Sequence, residues 1–98
     1  MKQTPQKMTR QMLSALAKTL VSIHSEKEME NFLHELLTPS ELHDLTLRWQ
    51  LLELLAQGVT QRKISDELQI SLCKITRGSR ILKKQDSVCA QMLNKTSR

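Results

Sequence analysis

Between Pro39 and Gly58 the chain runs through 18 residues without a glycine or a proline, a length that suits an α-helix and exceeds an ordinary strand. Leu42, Leu45, Trp49, Leu52 and Leu55 recur three or four apart within it, which lines them up along one helical face. The start is marked by Thr38-Pro39-Ser40-Glu41: Thr38 as N-cap, Pro39 at N1 where its missing N–H costs nothing, and Glu41 at N3 beside the positive helix end. Gly58 supplies the stop as a left-handed residue. A long leucine-rich helix is therefore the framework of whatever this chain builds.

Composition narrows the alternatives. With 98 residues the chain has room for one domain, and a large enzyme with a roomy cleft is disfavoured. Leucine occurs 17 times while Phe32 and Trp49 are the sole aromatics, and two glycines and two prolines are too few for the turns of a sandwich, a barrel or a Gly-rich phosphate loop. Cys73 and Cys89 lie 16 residues apart with no Cys or His at metal spacing, so no metal site is expected and a reducing compartment is. Met1 to Arg10 has no apolar signal core, and no window approaches 18 apolar residues. The expectation is a cytoplasmic chain that engages no membrane, has no cofactor and carries no catalytic set.

The rest of the pattern is helical too. Residues 1–8 are expected to form a disordered N-terminal tail ahead of a single helical domain over 9–98. Met12, Leu13, Leu16, Ala17, Leu20 and Val21 predict a first helix from about Thr9 to Ile23. Ser25 and Glu28 form a capping box before a second helix carrying Met29, Phe32, Leu33, Leu36 and Leu37. Thr60 can cap Gln61 to Leu68, Ser71 can cap Leu72 to about Lys84, and Asp86 or Ser87 starts a last helix ending near Leu93. The fold class is all-α with six helices. Leucines on adjacent faces (Leu51 and Leu52, Leu54 and Leu55) exceed what short companion helices can cover. An intertwined homodimer is therefore expected over a compact monomeric bundle.

Charge is concentrated. Residues 60 to 84 hold seven basic against two acidic side chains, whereas the remainder balances at eight and eight. A surplus confined to one segment points to a polyanion. The same segment, 61–84, carries a helix-turn-helix pattern. Ile64, Leu68, Ile70 and Ile75 fall where the second helix must pack across the first, and Ser65 is small enough to let it pass. Double-stranded operator DNA would be met by Gln61, Arg62 and Ser65 from the first helix. From the second it would be met by Ser71, Leu72, Cys73, Lys74, Thr76, Arg80 and Lys83, with Arg77 the alternative to Thr76 among the outward positions. Gln69 is the irregular position, because that turn residue needs positive φ and a non-glycine there costs about 1 kcal/mol.

Leu37-Thr38-Pro39-Ser40-Glu41, Arg48, Gly58, Thr60-Gln61-Arg62 and above all Ile75-Thr76-Arg77-Gly78-Ser79 resemble the bacterial tryptophan (trp operon) repressor family over roughly residues 30 to 85. The resemblance implies a DNA-binding transcriptional repressor, a homodimer whose reading heads respond to L-tryptophan as a small-molecule corepressor. It places the indole between the guanidinium planes of Arg48 and Arg77, with Arg77 also pairing the carboxylate, chemistry to which lysine is not equivalent. It assigns Gly78 to leaving room for the ring. Thr38 and the backbone around Glu35 and Leu37 complete the amino-acid site from the other subunit. Two positions depart from the family. Glu35 replaces a leucine, and Ile81 replaces a serine that helps hold the ligand amino group, a lost acceptor worth about 1 to 2 kcal/mol.

Other readings of the same residues are a ligand-independent helix-turn-helix regulator of this superfamily and a helical protein–protein adaptor with a basic helix. Arg48 can instead pair with Asp44 four residues earlier, Trp49 can serve core or dimer packing, and Cys73 can act as a small hydrophobe.

Overall fold

The structure, a computed structural model, describes residues 9–96, so the expected N-terminal tail at 1–8 lies outside the described residues. Among these there are six helices and no strand. In chain order they are α1 (Arg10–Val21), α2 (Glu26–Leu36), α3 (Pro39–Ala56), α4 (Gln61–Leu68), α5 (Leu72–Lys83) and α6 (Val88–Thr96). The all-α expectation holds, and most helix starts are set by the capping residues that the sequence displays.

The chain divides into two compact units that meet in sequence at Pro39 and Ser40. The first contains α1 and α2. Thr9 caps α1 by accepting from the Met12 N–H at 3.1 Å, and Ser25 caps α2 by accepting from the Glu28 N–H at 3.0 Å. α1 ends two residues before the expected Ile23, where the Ser22 hydroxyl donates to the Thr19 carbonyl at 2.7 Å and competes with further helix. Neither helix has a buried residue. Met12 and Val21 are 63% and 76% exposed, so α2 leaves the apolar arc of α1 uncovered.

The second unit is built on α3. Its C-terminus closes in a Schellman arrangement: the Val59 N–H reaches the Leu54 carbonyl at 3.1 Å, the Gly58 N–H reaches Leu55 at 3.0 Å, and Gly58 has φ +87°. Leu51, Ile64 and Ile75 form the core, flanked by Leu54, Leu55, Val59, Leu68 and Ile70. α4 packs on α5, and α5 on α6. Ser87 is the residue that starts α6. It is buried and accepts from the Ala90 N–H at 3.1 Å, while Asp86 before it takes φ +61°. α6 continues three residues past the expected Leu93, which turns inward and is buried.

Candidate functional site

Thr60 and Ser71 each accept a backbone N–H of their own helix, from Lys63 at 3.2 Å and from Lys74 at 3.3 Å. These caps fix where α4 and α5 begin, and hence the length of the turn between them. Ile64 and Ile75 are fully buried where the two helices cross. The turn is held by three local features. Gln69 adopts φ +55° and ψ +47°, the left-handed conformation expected of this position. Its side-chain amide donates to the Asp66 carbonyl at 2.9 Å, which offsets part of the backbone strain. The Ser65 hydroxyl donates across the turn to the Ile70 carbonyl at 3.0 Å. Ser65 is therefore engaged in the turn itself.

α5 buries Ile75 and Gly78 and turns the rest of its circumference outward. All seven basic side chains of residues 60–84 are exposed, as are Gln61, Ser71, Leu72 and Cys73, while Thr76 is half-buried. Helical spacing sorts these residues. Leu72, Thr76, Arg80 and Lys83 follow one stripe, each three or four residues from the last. Lys74, Arg77 and Ile81 follow another, about half a turn away, next to Gly78.

That second stripe faces α3 across a cleft open to solvent. α3 contributes Asp44, Leu47, Arg48, Leu51 and Leu52; the opposite wall is Ile70, Lys74, Arg77, Gly78 and Ile81. Arg48, Arg77 and Gly78 thus line one cleft although 29 residues separate the two arginines in the chain. Leu37, the half-buried C-cap of α2, and exposed Thr38 precede α3 on the other unit. A Cβ built on Gly78 would stand 3.2 Å from Leu51 Cδ2, 3.3 Å from Leu55 Cδ1 and 3.4 Å from Leu52 Cδ2. The missing side chain is thus what lets α5 lie close against α3.

Asp44, Leu47, Leu51, Leu52 and Ile70 are cleft residues that the sequence does not single out as such, and it places Lys74 only on the DNA face. For Asp44 the available signal was its spacing from Arg48, which reads equally well as an exposed i, i+4 ion pair. Among the described residues no group of three or more His, Cys, Asp or Glu side chains could hold a metal ion, and no helix is long and apolar enough to cross a membrane.

The family model described as "Trp repressor protein" matches residues 11–97. This chain belongs to the Trp repressor family. Trp repressors are transcriptional regulators and not enzymes, in agreement with the lack of any catalytic set in the sequence. The chain is similar to a "Trp operon repressor homolog" from Actinobacillus succinogenes, at 42% identity over 69 residues covering 69% of this chain and 68% of the relative. It is also similar to a protein of the same description from Chlamydia trachomatis serovar D, at 34% identity over 80 residues covering 76% of this chain and 85% of the relative. No solved structure matches.

Proposed function

We propose that this chain is a homodimeric repressor that binds operator DNA through α4 and α5, with L-tryptophan as corepressor in the cleft between α3 and α5. The observation that carries the reading is the convergence of Arg48 and Arg77 on one cleft whose floor is hydrocarbon. Two guanidinium planes can sandwich an indole, and Arg77 has donors to spare for a carboxylate. Leu37 and Thr38 complete the amino-acid site from the second protomer, in keeping with the homodimer reading.

The DNA face follows from the same helices. A recognition helix enters the major groove by its N-terminal turn, which here consists of Leu72, Cys73 and Lys74 behind the Ser71 cap. Thr76, Arg80 and Lys83 extend the contact along α5, and Gln61 and Arg62 anchor the backbone from the start of α4, with Ser65 keeping the turn in shape. Lys74 belongs both to this turn and to the cleft lining, so a ligand in the cleft bears directly on a groove-facing side chain. Such a ligand strengthens operator binding only by its preference for the binding-competent orientation of α5. A repressor of this kind works in the cytoplasm, where the operator is.

The test is fluorescence anisotropy on a duplex selected from a random pool, with and without millimolar L-tryptophan, for wild type and Arg77→Lys. Tryptophan should tighten wild-type binding about tenfold and have little effect on the variant. The presence of Ile81 in the cleft lining favours a second reading, a ligand-independent regulator with the same DNA face. An operator affinity that does not respond to tryptophan selects it.

A further inference from the structure

Asp44 lies one helical turn before Arg48 on α3, and both line the cleft. The other charged groups of the lining, Arg48, Lys74 and Arg77, are all cations, and the remaining side chains are hydrocarbon. Guanidinium and ammonium groups donate hydrogen bonds and cannot accept them. Ile81, one turn beyond Arg77, brings only methyl and methylene groups to the place it occupies. The carboxylate of Asp44 is therefore the one side chain in this lining able to accept from a ligand ammonium. Apart from the uncharged main-chain acceptors that the segment around Leu37 of a second protomer would bring, nothing else in this lining offsets the three cations, which favour any small carboxylate and oppose a positive charge on the same ligand.

We propose that Asp44 is the specificity residue of this cleft: its carboxylate takes the ammonium of a zwitterionic amino-acid ligand while Arg77 and Lys74 take the carboxylate. The cleft then selects an α-amino acid over the deaminated acid of the same shape. This rests on the reading that the cleft holds a tryptophan-like effector. Asp44 is exposed, so replacing it removes no core contact. At exposed positions a side-by-side ion pair with Arg48 is weak and gives way to a ligand that offers an ammonium to one partner and a ring face to the other.

The experiment is calorimetric titration of the full chain with L-tryptophan and with indole-3-propionic acid, which keeps the ring and carboxylate and lacks the amine, for wild type and Asp44→Asn. Circular dichroism establishes that the variant is folded. Wild type should prefer tryptophan. In Asp44→Asn the ratio of the two affinities should fall about tenfold or more, with tryptophan weakened and the propionate unchanged or tighter. A simple change of net charge would tighten the anionic propionate and leave net-neutral tryptophan almost unchanged, so a ratio that falls with no loss of tryptophan affinity overturns the proposal. An unchanged ratio with tryptophan still bound overturns it too, while leaving the tryptophan reading in place. Failure of wild type to bind either ligand removes both.

Discussion

Gly78 and Gln69 are single positions at which backbone and packing make opposite demands. At Gly78 an alanine would gain about 1 kcal/mol of helix propensity, but its Cβ would meet three leucine methyls at 3.2 to 3.4 Å. Leu51 and Leu52 are 4% and 3% exposed and have nowhere to retreat, and overpacking of this kind costs about 1 to 3 kcal/mol. Gly78→Ala is expected to destabilise by about 1 kcal/mol and to push α5 away from α3, weakening any ligand in the cleft; urea unfolding beside a ligand titration measures both. Gln69 is the reverse case. Its left-handed backbone is strained for a side chain and only partly offset by the bond to the Asp66 carbonyl. Gln69→Gly should therefore stabilise by up to about 1 kcal/mol, read as a higher urea midpoint with an unchanged slope.

At the scale of elements, the α4–α5 pair depends on Ile64 and Ile75, which are fully buried where the helices cross. Ile75→Ala should cost about 2 to 5 kcal/mol, since the cavity lies between helix surfaces that cannot collapse without breaking the turn; thermal unfolding would show it. The outward faces should divide their work. Arg62→Ala, at the start of α4, should weaken binding to all duplexes alike and reduce the salt slope by about one unit. Arg80→Ala, on the outward stripe of α5, should cost about 1 to 3 kcal/mol mainly on the selected duplex. Anisotropy titrations across a salt series on selected and random DNA separate the two. A basic adaptor helix would instead show no preference among duplexes.

On the scale of the whole molecule, exposed large apolar side chains outnumber buried ones among the described residues. Five large apolar side chains are buried among the described residues, while Met12, Leu13, Val21, Leu36 and Leu45 are each more than two-fifths exposed. Surface of this kind is in keeping with the homodimer proposed above. On the homodimer reading, the thermal midpoint should rise with protein concentration and sedimentation should give about twice 11.3 kDa. A stable monomer at micromolar concentration contradicts the dimer and leaves the apolar arc of α1 unexplained.

Much of this was legible in the residues because caps and glycines act locally. Thr9, Ser25, Thr60 and Ser71 each bond an N–H within their own first turn, and Gly58 closes α3 whatever lies around it, so the six helices and the helix-turn-helix follow from neighbours in the chain. The basic surplus of 60–84 needed only counting, since charged side chains remain at the surface. The cleft was only half visible. α3 carries leucines around most of its circumference, so periodicity could not say which face meets α5. Only the close approach of Leu51, Leu52 and Leu55 to Gly78 decides it. That contact sets the rotation of both helices, and the rotation brings Asp44 and Lys74 into the lining with the two arginines. Sequence spacing determines which residues share a helix face; what stands opposite that face is decided by packing between elements far apart in the chain.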